Sequence, residues 1–169
     1  MKINFYPESN NRDYIKAALE YKKIWKKDGI KIIKLIGKYS GQKFKTKEIN
    51  ALTCNQVSYS SPLLLESGLT KNIKEGVIVH ELLHRLLVEN NYRLPNKNFT
   101  ENVHRIIDLI LFDIWVELFG EKLAKENMKH EIGYGCLDYK KAWDWALSFS
   151  KEERTKEFEK MKRKYCKFT

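Results

Sequence analysis

The chain has 169 residues, of which 43% are hydrophobic and 12% aromatic, so it can fill the core of one domain and is too short for a multidomain enzyme. No run approaches the roughly 20 apolar residues that a membrane-spanning helix needs, and the N-terminus turns polar before a secretion signal could form. Three widely spaced cysteines, Cys54, Cys136 and Cys166, fit neither a disulfide framework nor a metal knuckle. We therefore expect a cytoplasmic protein.

The charge is concentrated in one part of the chain. Thirty-two basic against 22 acidic residues give a net charge of +10. Residues 16–47, the lysine-rich segment, hold eleven lysines against only Glu20 and Asp28. Such a segment can attract the phosphate backbone of a nucleic acid or an acidic partner, or it can be a solvated face without a partner. No recognisable nucleic-acid-binding motif accompanies it.

The start of the chain predicts a short strand followed by helix. Lys2–Tyr6 alternates weakly between apolar and polar residues, as a strand does. Asn10 or Asn11 can cap the helix that follows. Residues 30–36 fit either a strand or a second helical stretch separated from the first by a break near Gly29. We predict the helix, because the isoleucines fall on one side of it.

Residues 44–66 are rich in β-branched and small side chains, which predicts two short strands. The first covers about 49–54 and the second about 57–60, and Pro62 favours an edge position for the second. The rest of the chain has helical periodicity, with helices expected over about 71–90, 99–120, 121–130, 138–149 and 151–164.

These elements predict an α+β fold that is mostly α, in one domain. Its N-terminal helix and small sheet occupy residues 1–69, two long helices occupy 70–120, and a C-terminal helical segment occupies 121–169. The C-terminal segment is rich in aromatic residues, including Phe168. These residues either complete the core or form a removable lid over an apolar groove, which would make the isolated chain latent.

The most informative motif is His80-Glu81-Leu82-Leu83-His84. Residues four apart on a helix lie about 40° apart around its axis, so both imidazoles can reach one metal ion. Glu81 is offset from them and can face a water molecule instead of the metal. Two histidine ligands with an adjacent carboxylate are the pattern of a zinc hydrolase.

The next predicted helix carries residues that can complete the site. His104 follows His84 after nineteen intervening residues, and Asp108 lies one helical turn beyond His104. If the two helices are antiparallel, His80, His84 and His104 can converge on one zinc ion.

This spacing resembles the gluzincin zinc peptidases and their compact single-domain relatives, the minigluzincins, over roughly residues 10–120. Their HExxH helix is followed nineteen residues later by a third ligand, and one turn on by a carboxylate that orients the first histidine. The resemblance implies a zincin-like fold, a Zn²⁺ cofactor, Glu81 as the catalytic base and Asp108 behind a ligand histidine. It also implies that substrate binds along an exposed edge strand packed on the HExxH helix, formed by Val57, Ser58, Tyr59, Ser60 and Ser61.

The third ligand departs from the family, which has a glutamate where this chain has His104. Three imidazoles and a water are an ordinary zinc ligand set, so we assign His104 as the third ligand. Glu101, one turn before His104, is the alternative, although the spacing of Asn98 and Glu101 also fits a helix capping box.

Three further residues have both a functional and a structural interpretation. Asp108 can orient a ligand histidine, or it can pair with Arg105 or Arg85. His130 and Tyr134 can stabilise the oxyanion of a peptidase intermediate, or they can be a surface histidine and a loop tyrosine.

Two functions are compatible with this pattern. The first is a zinc metallopeptidase that binds a peptide or protein substrate by strand addition and uses Glu81 as general base. The second is a non-catalytic module in which zinc only joins two helices and the lysine-rich segment binds nucleic acid or protein. Glu81 favours the enzyme, because a structural zinc site would instead recruit a fourth protein ligand.

Overall fold

The computed structural model describes residues 1–135 and 137–166, and within these ranges the chain forms four strands and six helices. The fold is α+β and mostly helical, as predicted. The strands are β1 (Lys2–Pro7), β2 (Glu48–Cys54), β3 (Tyr59–Ser60) and β4 (Leu63–Glu66). The helices are α1 (Arg12–Ser40), α2 (Lys71–Glu89), α3 (Phe99–Phe119), α4 (Glu121–Gly133), α5 (Leu137–Ala146) and α6 (Lys151–Tyr165). None of the described helices combines the length and apolar character required to cross a bilayer.

The four strands form one mixed sheet in the order β1-β2-β4-β3. β1, β2 and β4 are parallel, whereas β3 pairs antiparallel with β4 and occupies the edge. The edge position predicted for the strand near residues 57–60 is confirmed. β4 was not predicted, because Pro62 indicated the end of the strand region. Leu63 and Leu65 are nevertheless buried on one face, as in a half-buried strand.

α1 runs without interruption, so the predicted break near Gly29 is wrong. A Cβ atom at Gly29 would lie 2.8 Å from the ring of Trp25, which is one turn earlier on the same helix. The glycine makes room for the indole and does not end the helix. The predicted cap is confirmed, because the Asn11 side chain accepts a hydrogen bond of 2.8 Å from the Asp13 backbone N–H.

The core lies between the sheet and the helices, and α2 and α3 cross its centre. The C-terminal segment contributes to this core, since Trp143 of α5 and Phe158 of α6 are each only 1% exposed. No described residue of α6 lines the cavity near the histidines, so the lid interpretation of this helix has no structural support. Phe168 and Cys136 lie outside the described residues.

Candidate metal centre

The three histidines predicted as ligands lie together. α2 presents His80 and His84 on one face, and α3 presents His104 opposite them. The ring centroids are separated by 4.7, 5.3 and 4.9 Å, and one ligand nitrogen from each ring lies within 4.8 Å of the other two. The Nε2 atoms of His80 and His84 are 2.9 Å apart. The cluster can therefore hold one metal ion.

The His104 ring has one nitrogen satisfied and one available. Its Nδ1 lies 2.7 Å from the Thr100 carbonyl oxygen, to which it donates as the N–H tautomer. Its buried Nε2 has no hydrogen-bond partner among the described residues. Burial, and then the charge of His80, lowers the pKa of His104 to about 4, so the ring is neutral at pH 7. A buried, neutral ring nitrogen without a hydrogen-bond partner has a free lone pair, which is what a metal ion requires of a ligand.

Glu131 of α4 reaches the other side of the His80 ring. Its Oε1 lies 2.7 Å from His80 Nδ1, out of line with the ring N–H direction, so the contact is close but bent. Its Oε2 accepts a hydrogen bond of 2.9 Å from Trp143 Nε1. Burial lowers the pKa of His80, but the charge and hydrogen bonding of Glu131 outweigh burial and raise that pKa to about 9.

Glu81 lies beside the histidines and is 6% exposed. Burial raises the pKa of Glu81 to about 7, with the charge of His80 opposing the shift and that of Glu131 adding to it. A carboxyl group with a pKa near 7 can both accept and donate a proton at neutral pH.

A cavity of about 300 Å³ opens over the histidines and Glu81. Ser58–Ser61, the edge strand β3 with its flanking residues, forms one wall, whereas the predicted Val57 is not among its lining residues. Tyr139 of α5 contributes to the cavity as well, with its ring centroid 4.1 Å from that of His104. Most of the remaining lining is apolar: Leu87, Val88, Tyr92, Leu94, Phe99 and Val103.

Glu101, the alternative third ligand, is not a member of the histidine cluster. Its carboxylate pairs with Arg105 at 2.7 Å, one turn along α3. The predicted capping box is wrong, because Asn98 adopts a left-handed conformation and makes no side-chain cap hydrogen bond. The i,i+4 ion pair with Arg105 therefore accounts for Glu101 without a metal.

Asp108 is fully buried, but neither of its carboxylate oxygens has a hydrogen-bond partner among the described residues. The predicted pairing with an arginine is wrong, since Arg85 pairs with Glu89 at 3.0 Å and Arg105 pairs with Glu101. The predicted contact with a ligand histidine is not made either. The carboxylate found at a histidine ring is Glu131, which the sequence did not indicate.

His130 and Tyr134 are hydrogen-bonded to each other but lie outside the cavity lining. His130 Nε2 is 3.0 Å from the Tyr134 hydroxyl, which donates to Glu66 Oε2 at 3.1 Å. Neither residue is among those that line the cavity over the histidines. The structure therefore gives no contact that supports their predicted role as oxyanion stabilisers.

The lysine-rich segment forms most of α1 and the loop that follows it. Lys22, Lys23, Lys26 and Lys34 are exposed on α1. None of these four lysines has an ion pair with a described residue. These four lysines form an exposed basic face on α1, and whether nucleic acid or protein binds it stays a prediction.

No protein-family model, curated protein or solved structure matches this chain. The geometry of the histidine cluster and its surroundings is therefore the basis on which a function is proposed.

Proposed function

We propose that the protein is a zinc-dependent peptidase in which His80, His84 and His104 hold the metal and Glu81 is the general base. One observation carries the proposal: a buried carboxyl group adjoins three convergent imidazoles at a cavity bordered by an edge strand. The HExxH motif and the spacing to His104 support the same class, the gluzincin-like peptidases, with a histidine in place of the usual glutamate ligand.

The donor set fits zinc. Imidazole nitrogens are ordinary zinc ligands, and catalytic zinc sites use three protein ligands with a fourth position left for water or substrate. Within the described residues the cluster has three members, and no fourth side chain joins it. The unpartnered Nε2 of His104 would gain a partner on metal binding. When bound, the zinc would supply Lewis-acid polarisation of a substrate carbonyl group.

Glu81 would transfer the protons. As a carboxylate, it would accept a proton from the attacking water molecule, and as a carboxylic acid it would then donate that proton to the leaving amine. In the metal-free protein, burial raises the pKa of Glu81 to about 7 against the charge of His80, and a bound metal would favour the carboxylate that accepts the proton. Because Glu81 follows His80 directly on α2, its carboxyl group adjoins the ligands without replacing one of them.

The edge strand would bind the substrate backbone. β3 lies at the end of the sheet, so a peptide in extended conformation can add to it through backbone hydrogen bonds. Arg85 of α2 donates to the Ser60 carbonyl oxygen at 3.4 Å and thereby links this strand to the helix that carries the ligands. The apolar cavity wall favours a substrate with an apolar side chain near the scissile bond.

The test is peptide hydrolysis by the full-length protein. We expect the zinc-loaded protein to cleave members of a fluorogenic peptide library, with cleavage abolished by a chelator and restored by stoichiometric zinc. Zinc binding without cleavage of any peptide would contradict the proposal. If the zinc-loaded protein instead retarded a nucleic acid in a gel, the alternative of a basic binding module with a structural zinc would be favoured.

A further inference from the structure

We propose that Glu131 is the positioning residue of the metal centre, and that a close helix crossing at Gly76 places it there. In this arrangement Glu131 holds Nδ1 of His80 and so directs Nε2 of that ring towards the metal. The inference rests on the proposed function only in that it requires a metal to bind. It does not require the protein to cleave peptides.

Each oxygen of the Glu131 carboxylate lies close to a ring nitrogen, in a bent contact at His80 and in a hydrogen bond at Trp143. His80 Nδ1 lies 2.7 Å from one oxygen, and Trp143 Nε1 donates to the other at 2.9 Å. Glu131 is 5% exposed and Trp143 is 1% exposed, so water does not compete for these contacts. A carboxylate accepts from both partners, whereas an amide has one acceptor and one donor group and cannot satisfy two donors.

The helix packing explains how Glu131 reaches His80. Gly76 lies one turn before His80 on α2, and Asn127 lies one turn before Glu131 on α4. A Cβ atom at Gly76 would lie 1.9 Å from Oδ1 of Asn127, so the Asn127 side chain packs directly over the glycine, and any larger residue at position 76 would displace it. The Asn127 amide is held by the Leu123 carbonyl oxygen at 2.9 Å. The next turn of each helix then brings Glu131 against His80.

No other described carboxylate is a better candidate for this role. Asp108, which occupies the position expected from the gluzincin pattern, makes no hydrogen bond to any described residue through its buried oxygens. The His104 ring is oriented by a backbone group and not by a carboxylate, since its Nδ1 lies 2.7 Å from the Thr100 carbonyl oxygen. Nδ1 of His104 is hydrogen-bonded and Nδ1 of His80 is in close contact with a carboxylate oxygen, an arrangement that leaves Nε2 of each ring for the metal.

Glu131→Gln is the discriminating substitution because it preserves shape. The glutamine can keep its oxygen on Trp143 only by turning its NH2 group towards His80. That orientation makes His80 Nδ1 an acceptor and leaves the proton on Nε2, which then cannot bind a metal. Loss of an outer carboxylate typically weakens metal binding by about 10- to 100-fold, and we expect an effect of that size here.

The experiment measures zinc affinity by competition with a chromophoric chelator in the full-length protein. Glu126→Gln, an exposed site on the same helix, is the matched control and should bind zinc like the wild type. We expect the double variant Glu131→Gln/Trp143→Phe to bind zinc more tightly than Glu131→Gln alone, because the amide oxygen is then free to face His80. A Glu131→Gln affinity within about threefold of the wild type, or a double variant without recovery, would overturn the inference.

A second measurement avoids substitution altogether and applies even if Glu131→Gln does not fold. Two-dimensional ¹H–¹⁵N spectra of the zinc-loaded wild type report which nitrogen of His80 carries the proton. We expect a protonated Nδ1 and a metal-bound Nε2. Zinc bound through Nδ1 of His80 would overturn this inference and leave the metal centre intact, whereas failure to bind zinc would overturn both proposals.

Discussion

Glu81→Gln is expected to reduce peptide hydrolysis by about two orders of magnitude or more while leaving the fold and zinc content unchanged. General bases typically contribute about 10²- to 10⁴-fold to the rate, and glutamine cannot accept the proton of the attacking water. The side chain is 6% exposed and changes little in volume, so the packing of α2 should survive. Initial rates with a fluorogenic peptide, together with zinc content and far-UV circular dichroism, measure the effect.

Glu75→Gln is the matched control for this substitution, because Glu75 lies on the same helix and away from the cavity lining. It should hydrolyse peptides at the wild-type rate. If Glu81→Gln also retained the wild-type rate with zinc bound, the catalytic base would have to be another residue and the proposed role of Glu81 would be lost.

His104→Ala is expected to lower zinc occupancy as strongly as His84→Ala does. Removal of this imidazole leaves two ligands, and its Nε2 is a buried nitrogen without a hydrogen-bond partner in the part of the chain that the structure describes. The increase in melting temperature on adding zinc, which reflects the free energy of zinc binding to the folded state, should therefore fall in the variant. The apo variant must be measured in parallel, because removing a buried side chain also destabilises the metal-free protein.

Glu101→Ala tests the alternative ligand in the same assay. Glu101 pairs with Arg105 and lies outside the histidine cluster, so this variant should bind zinc with wild-type affinity. Loss of zinc in Glu101→Ala with retention in His104→Ala would show that the third ligand has been assigned to the wrong residue.

The histidine cluster could be predicted because its geometry is local. The spacing of His80 and His84 fixes both rings on one face of α2 whatever the rest of the fold does. His104 required one further assumption, that the next helix returns antiparallel, and the structure confirms that it lies within reach. The approximate bounds of α2, α3 and α6 were predictable from periodicity, whereas the break predicted near Gly29 and the capping box predicted at Asn98 were wrong.

The surroundings of the cluster depend on tertiary packing and could not be predicted. Glu131 reaches His80 from α4, which packs its Asn127 side chain over Gly76 of α2, and a single glycine in a helical sequence does not reveal which helix packs against it. Tyr139 likewise reaches the cavity through the position of α5. β4 was not predicted because it begins at Leu63, directly after Pro62, and a proline usually indicates the end of a strand.

The histidine at position 104 changes the charge of the site relative to a glutamate ligand, which is one unit more negative. Three buried carboxyl groups, Glu81, Asp108 and Glu131, are each no more than 6% exposed and would offset this difference only in their ionised forms. Burial, and then the charge of Glu131, raises the pKa of Asp108 well above its usual range. A divalent cation among these groups would favour their ionised forms, which couples metal binding to the charge of the site.

The most direct measurement is X-ray absorption at the zinc edge, combined with metal analysis of the purified full-length protein. The proposed centre predicts one zinc per chain, with three imidazole nitrogens at about 2.0–2.1 Å and a fourth light-atom ligand that is not a protein side chain. A chain that purifies without zinc and does not take it up, or a spectrum with sulfur ligands or fewer than three imidazoles, would contradict the assignment.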